Sequence, residues 1–188
     1  FLNIDMGTEL DRVLKKLGPL FESKRLELAV RKSEFRTVLG NEAAIEQIMT
    51  NILKNATMYT PVGGRITVTI QPDYRGFMEF SVSDTGIGIA QKDLFRIFEP
   101  FYRTDASRTR ARGGSGLGLT IVKELLKMHR GKIKVRSYHK RGTTVTILLP
   151  CGTSDSPKTR EERSSSDEIS VDYSADTRQK RSTNGTTP

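Results

Sequence analysis

The sequence predicts an α/β fold, and three observations predict it. Apolar residues recur at three- and four-residue steps over residues 5–24, 41–61 and 116–128, the period of helices with one buried face. Residues 26–30, 65–71, 77–83, 132–138 and 143–149 instead alternate apolar and polar side chains, as half-buried strands do. Turn-forming glycine, proline and asparagine stand between these stretches.

Over residues 5–24, Leu10, Val13, Leu14, Leu17, Leu20 and Phe21 keep helical phase across Gly18-Pro19, which predicts one kinked helix rather than two. Residues 26–30 alternate as a strand, and 35–39 are its expected partner. Asn41 then has the chemistry of a helix cap, with Glu42 in the first turn. The helix that follows puts Ile45, Ile48, Met49, Ile52, Leu53, Ala56 and Tyr59 on its apolar face, with Glu46, Thr50, Lys54 and Thr57 facing water. At about 100° per residue, Asn51 and Asn55 project side by side on the border of that face. Such a pair offers carbonyl oxygens to a hard cation or amides to a ligand, although taken alone it is more often simply surface.

Pro61-Val62-Gly63-Gly64 ends the helix, and residues 65–71 and 77–83 form a hairpin around the turn at 72–76. Asp84-Thr85-Gly86-Ile87-Gly88-Ile89 follows at the strand exit. Residues 91–98 read as a short helix closed by Pro100. From 102 to 114 there is no periodicity; the stretch is polar, basic and ends in glycine, the signature of a long mobile loop. Gly114-Ser115-Gly116-Leu117-Gly118-Leu119 opens a helix to about Met128, which carries Leu119, Val122, Leu125 and Leu126. Strands at 132–138 and 143–149 meet at Lys140-Arg141-Gly142. Past Pro150 almost no apolar residue remains, so 151–188 is expected to be a disordered tail.

Composition narrows the function classes. A chain of 188 residues has room for one domain with a core and an appendage, and 35% apolar residues fits an unstructured part. No apolar run reaches membrane-spanning length and no signal peptide is visible. With Phe1 in place of Met, the chain is expected to be a piece of a longer protein, so membrane anchoring of the parent stays open. The single Cys151 excludes an internal disulfide and a cysteine zinc site, and fits a cytoplasmic location. Of the net charge of +9, little lies in the tail. There Lys158, Arg160, Arg163, Arg178, Lys180 and Arg181 are opposed by Asp155, Glu161, Glu162, Asp167, Glu168, Asp172 and Asp176. The excess sits largely between Arg103 and Arg141, a basic surface of the kind that meets phosphate. Nucleic acid is disfavoured, because these cations lack interleaved stacking aromatics.

Two glycine clusters flank the basic loop, and neither fits the common phosphate loops. A P-loop needs Lys-Ser or Lys-Thr after its last glycine, and Gly118 is followed by Leu119. A dinucleotide fingerprint needs a third glycine three residues on, where Ile121 stands after Gly118 and Ala-Gln fills the region after Gly88.

In their order, Asn51 to Asn55, Asp84 to Gly88, Phe95/Phe98/Phe101 and Gly114 to Leu119 resemble the N, G1, F and G2 boxes of the catalytic ATP-binding domain of sensor histidine kinases. That family belongs to the superfamily shared with gyrase and the heat-shock chaperone ATPases, with the Bergerat ATP-binding fold. The resemblance spans roughly residues 5–150. Phe98-Glu99-Pro100-Phe101-Tyr102-Arg103 followed by Gly-Gly-Ser-Gly-Leu-Gly-Leu is similar to the kinase branch rather than the gyrase branch.

The resemblance implies a two-layer α/β sandwich, a mixed sheet with helices on one face, holding Mg-ATP between the central helix and the loop as lid. It implies that Asn55 ligates Mg²⁺ and Asn51 supports the phosphates, with Arg103 as the third expected catalytic residue. Tyr59 packs near the adenine, Asp84 accepts from its amino group with help from Thr143, and Gly86, Gly88 and Ile89 border the base. Tyr102 and Arg103 lie at the lid's start. Gly114, Gly116, Leu117, Gly118 and Leu119 bring a helix N-terminus to the phosphates. Arg108, Arg110 and Arg112 are further candidates to neutralise them. Met58 departs from the family, whose members often carry Lys or Arg there; neutralisation then rests more on the lid and Lys54.

The implied reaction is transfer of the γ-phosphoryl to a histidine on a helical dimerisation domain absent from this chain, with a response regulator downstream. Residues 1–24 would follow that domain and pack on the catalytic domain at 25–150. The parent would be a homodimer and the isolated domain a monomer. An ATPase or serine kinase of the superfamily would instead carry Glu one turn before the magnesium asparagine, as general base. Here that place is Asn51, which cannot accept a proton. A nucleotide-dependent binding module without catalysis is the third reading, kept alive by Met58. His129 and His139 are not read as phosphoacceptors, since neither lies in a His-Glu or His-Asp helix motif.

Overall fold

Strands β1 (Leu2–Asp5), β2 (Glu27–Lys32), β3 (Thr37–Gly40), β4 (Arg65–Asp73), β5 (Phe77–Asp84), β6 (Lys132–Tyr138), β7 (Gly142–Pro150) and β8 (Ile169–Val171) are joined with helices α1 (Met6–Ser23), α2 (Glu42–Tyr59) and α3 (Gly118–Met128). The computed structural model describes residues 1–34, 37–73, 75–104, 114–152 and 169–171. The main sheet runs β2-β4-β5-β7-β6-β8 and is mixed: β2 lies parallel to β4 and β6 to β8, while β4–β5, β5–β7 and β6–β7 are antiparallel.

Alternation along the strands decides the layers. Ile66, Val68 and Ile70 of β4, Met78, Phe80 and Val82 of β5, Ile133 and Val135 of β6, and Ile147 and Leu149 of β7 are all buried. The intervening positions carry mainly hydroxyls in β4, β5 and β7 and the cations Lys132, Lys134 and Arg136 in β6; across β5 and β7 Ser81 bonds Thr146 at 3.0 Å and Ser83 bonds Thr144 at 2.9 Å. The helices cover the apolar face. Leu10, Val13, Leu17 and Phe21 of α1, Ile45, Ile48, Met49, Ile52 and Leu53 of α2, and Val122 and Leu126 of α3 complete the core. Burying each such side chain stabilises the fold by about 1.5–3 kcal/mol before entropy is counted. This is the expected two-layer α/β sandwich.

The caps follow their local chemistry. Asp5 accepts from Thr8 N–H at 2.8 Å at the start of α1, and Asn41 from Ala44 N–H at 3.0 Å at the start of α2. Helix α1 runs through Gly18-Pro19 as a single element.

Strand pairing departs from expectation. The described part of the expected 35–39 strand, β3, does not pair with 26–30; it pairs antiparallel with β1, which sequence periodicity does not reveal, placing Ile4 opposite Val38. Strand β2 pairs parallel with β4 instead, Leu28 opposite Ile66. Alternation specifies which face a strand buries but not its neighbour. The expected helix at 91–98 is a single 3-10 turn at Gln91–Asp93 continued by turns. The bonds Asp93 N–H to Ala90 O, Arg96 N–H to Asp93 O and Glu99 N–H to Arg96 O all span three residues.

The expected mobile loop and its Arg108, Arg110 and Arg112 fall mostly on residues 105–113, outside the described residues, and most of the expected disordered tail lies outside them too. Of that stretch, residues 151–152 and 169–171 are described. Cys151 bridges to Val38, Gly152 N–H donates to Thr37 O at 3.0 Å, and Ile169–Val171 lies as β8 along the β6 edge, where unpaired backbone groups invite a strand.

Candidate functional site

A cleft of about 500 Å³ opens between α2, the exit of β5 and the N-terminus of α3. From α2 it is lined by Asn51, Lys54, Asn55, Met58 and Tyr59; from the β5 exit by Asp84, Ile87, Gly88 and Ile89. Tyr102, Arg103 and residues 114–119 close the far side, and Ile52, Val82, Val135, Thr143 and Val145 make the floor. Among the described residues, every site residue expected from the sequence lines this cleft except Gly86.

Asp84 ends β5 at the base of the cleft. Its Oδ1 accepts from Gly86 N–H at 2.8 Å and from Thr143 N–H at 3.2 Å. Burial holds its carboxyl above the usual aspartate range, and these two backbone bonds only partly oppose that. Gly86 therefore supports the carboxylate from behind, where a Cβ would lie 2.6 Å from Asp84 Oδ1 and from Tyr59 O. Thr143 contributes its backbone, since its hydroxyl bonds Ser137 Oγ at 2.8 Å.

The Asp84 to Ile89 loop is tied down on two sides. Ile87 N–H donates to Tyr59 O at the end of α2 at 3.2 Å. Lys140 N–H donates to Ile87 O at 2.7 Å and Ile89 N–H to Ser137 Oγ at 2.8 Å, which laces the loop to the β6–β7 turn. Gly88 has φ +64°, and a Cβ there would stand 2.0 Å from Tyr138 O, so only glycine fits.

Asn51 and Asn55 face the start of α3. A Cβ at Gly118 would lie 3.7 Å from Asn51 Oδ1 and 3.8 Å from Asn55 Nδ2. Asn51 Nδ2 is buried and has no hydrogen-bond partner among the described residues. The start of α3 carries neither a side-chain cap nor an acid in its first turn, so its amide dipoles point uncompensated into the cleft. An unpartnered amide beside an uncapped helix start fits an anion better than any other ligand.

The aromatic segment is less uniform than its spacing suggests. Phe98 is buried, whereas Phe95 and Phe101 are 67% and 70% exposed. Tyr102 lies with its ring under Arg96, 4.1 Å from the guanidinium, and its hydroxyl donates to Asp93 at 2.7 Å. Phe101 N–H donates to Gly116 O at 3.1 Å and closes the neck of the loop between them. Met58 Cε would lie 3.4 Å from a Cβ on Gly114, so the departing residue meets the loop's other end.

His129 is structural. It is buried, its Nδ1 donates to Leu125 O at 2.7 Å, and its Nε2 accepts from Asn41 N–H at 3.1 Å. Among the described residues no cluster of three or more His, Cys, Asp or Glu could hold a metal. Sequence reading missed Val82, Val135 and Val145 of the cleft floor, which come from three separate strands and show in the sequence only as alternating strand positions.

The family model described as "Histidine kinase-, DNA gyrase B-, and HSP90-like ATPase" matches residues 40–153. Sensor histidine kinase WalK of Bacillus subtilis is 45% identical over 107 residues, 56% of this chain and 18% of that protein. Sensor-like histidine kinase SenX3 of Mycobacterium tuberculosis is 35% identical over 149 residues, 79% of this chain and 36% of that protein. The chain thus spans well under half the length of these relatives. Among solved structures, the mycobacterial sensor histidine kinase MprB is 30% identical with a TM-score of 0.71, covering 80% of this chain and 98% of that one. Full-length ShkA in complex with AMPPNP is 31% identical with a TM-score of 0.72, covering 84% of this chain and 32% of that one.

Proposed function

This chain belongs to the family of histidine kinase-, DNA gyrase B- and HSP90-like ATPases, and we propose that it is the catalytic ATP-binding domain of a sensor histidine kinase, which phosphorylates a histidine on a separate helical domain of its parent. One observation carries the reading most. The unpartnered Asn51 amide and the uncapped start of α3 converge at one end of the cleft, while the buried, doubly anchored carboxylate of Asp84 stands at the other. A nucleotide has this polarity: a base with an amino donor at one end, anionic phosphates at the other.

In this reading the adenine amino group donates to Asp84, the carboxylate that Gly86 and Thr143 hold in place. The base lies over the apolar floor of Val82, Val135 and Val145, next to Tyr59. The phosphates meet the first amides of α3 and Asn51, with Lys54 and Arg103 as cationic lining. Residues 1–24 pack on the domain through α1, and 25–150 form the catalytic unit.

The donor chemistry also fits magnesium. Mg²⁺ keeps most of its waters and takes one or two protein oxygens plus substrate phosphates, so a site without a carboxylate cluster suits it. Asn55 is the residue that would hold it. Magnesium, when bound, neutralises charge on the phosphates of the transferring nucleotide.

Phosphoryl transfer forms a bond from an imidazole nitrogen of the acceptor to the γ-phosphorus and breaks the bond to the bridging oxygen of ADP. An imidazole is already nucleophilic and needs little base assistance. Asn51 in place of a glutamate leaves no general base to activate water, which favours transfer over hydrolysis. The acceptor domain, a response regulator downstream, a homodimeric parent and a cytoplasmic location, with the parent membrane-anchored or not, belong to this proposal. No described helix is long and apolar enough to cross a membrane.

Asn55→Ala tests the reading. Metal-free ADP should bind it about as well as wild type, because the Asp84 end is untouched. The magnesium-dependent gain in affinity should vanish in calorimetry, and transfer from radiolabelled ATP to an acceptor-histidine domain supplied in trans should be lost. Near-wild-type labelling would remove Asn55 from the metal site. Failure of the wild-type chain to bind any adenine nucleotide would remove the function itself.

A further inference from the structure

The Nζ of Lys24 reaches three backbone carbonyls at the end of α2: Thr57 O at 2.6 Å, Met58 O at 3.0 Å and Thr60 O at 2.6 Å. The last turn of α2 carries no basic residue of its own, so Lys24, which is the C-cap of α1, brings the cation that complements its dipole. Its backbone is fixed as well. Its N–H donates to Phe21 O at 3.3 Å and its carbonyl accepts from Gly63 N–H at 2.9 Å. An ammonium offers three donors to these three acceptors from a rigid base.

What lies between those carbonyls gives the contact its meaning. Tyr59 sits between Met58 and Thr60, and its own carbonyl accepts from Ile87 N–H and abuts Gly86. Gly86 in turn donates to Asp84. An unbroken chain of short contacts therefore runs from Lys24 through the Tyr59 peptide to the carboxylate at the base end of the cleft. Helix α2 runs back from this last turn to Asn55 and Asn51 at the phosphate end.

We propose that Lys24 is a positioning residue for the nucleotide: by pinning the last turn of α2 it sets the spacing between the Asp84 loop and the asparagine pair. This rests on the nucleotide reading of the cleft. Lys24 does not line the cleft and touches no reacting atom. Freed from the ammonium, the Thr57 to Pro61 segment would fray as helix ends do, and the Ile87 and Gly86 contacts would loosen with it.

The bland alternative is a helix cap that adds only stability. Lys24→Met separates the two, since it keeps the stem and removes the charge and donors. Two readouts on the full chain are needed: ADP affinity by calorimetry, below the melting transition, and hydrogen exchange of the Ile87 amide. The expected result is about tenfold weaker ADP binding, the loss of one charge-assisted contact set. Exchange at Ile87 should speed up while Val68 and Phe80 in the central strands keep their protection. A lowered Tm with ADP affinity and Ile87 exchange as in wild type would overturn the proposal.

Should Lys24→Met not fold, Lys24→Arg carries the test, because it keeps the cap's charge but presents a planar fork to three converging carbonyls. Several-fold weaker ADP binding and faster Ile87 exchange are expected, and wild-type values for both would overturn the proposal. If wild type itself bound no nucleotide, the functional reading would fall, and the Ile87 exchange would still decide what Lys24 does.

Discussion

Asp84 carries a cost in stability that its proposed role in reading the base would explain. Burial raises its pKa above the ordinary value of 3.8, so the folded state binds its proton more tightly than the unfolded state does. A raised folded pKa gives stability that is fully present below the unfolded value and is lost as pH rises through the folded value. At neutral pH the ionised carboxylate therefore costs stability. Asp84→Asn should raise Tm at pH 7, with the gain vanishing toward pH 3, while Gly86 and Thr143 still find an acceptor. The same change should weaken ADP by about 1.5–3 kcal/mol, the worth of a charge-assisted hydrogen bond. ADP affinity of wild type should begin to fall at a higher pH than an ordinary aspartate would give. Unchanged affinity across the series would show that another residue reads the base.

The helices end in a way that leaves room for improvement. At the end of α1, Leu26 N–H bonds Phe21 O at 3.0 Å and Arg25 N–H bonds Glu22 O at 2.9 Å. At the end of α3, Gly131 N–H bonds Leu126 O at 2.8 Å and Arg130 N–H bonds Lys127 O at 3.1 Å. Both are Schellman ends, and each places an arginine in the left-handed region, Arg25 at φ 49° and Arg130 at φ 51°. Glycine is favoured there. Arg130→Gly should stabilise the protein by about 0.5–1 kcal/mol, less any loss of the arginine's attraction to the helix end. Urea denaturation with an unchanged slope would measure it, and a loss above about 1 kcal/mol would show that Arg130 makes a contact worth more than its strain.

At the scale of the whole molecule, the two residues just past β7 hold the two sheets together. Cys151 N–H bonds Gly76 O at 3.0 Å, Cys151 bridges Val38, and Gly152 N–H bonds Thr37 O at 3.0 Å. A Cβ on Gly152 would lie 2.6 Å from Asn3 Oδ1, so β1 and β3 close tightly over this point. Truncation after Gly152 should leave ADP affinity unchanged and lower Tm by no more than ~2 °C, since β8 spans only three residues of one edge. Truncation after Leu149 should cost several degrees, through loss of the backbone bonds that anchor β3. Equal melting of the two chains would show that the small sheet does not depend on the end of β7.

By itself, the sequence determined what is local. The caps at Asn41, the apolar faces of α1, α2 and α3, the β4–β5 and β6–β7 hairpins, and the Asp84 and Gly118 segments all follow from periodicity and turn chemistry within a few residues. The site was legible for the same reason: its asparagines sit one helical turn apart, and its glycines mark places where backbones approach. Tertiary structure alone decided what depends on distant partners. It set β3 beside β1 rather than β2, because alternation names a face and not a neighbour. It drew Val82, Val135 and Val145 of the cleft floor from β5, β6 and β7, turned the Gly86 amide onto the Asp84 carboxylate, and brought Lys24 to carbonyls more than thirty residues away. Such contacts arise only when packed elements converge, and no pattern short enough to read along the chain encodes them.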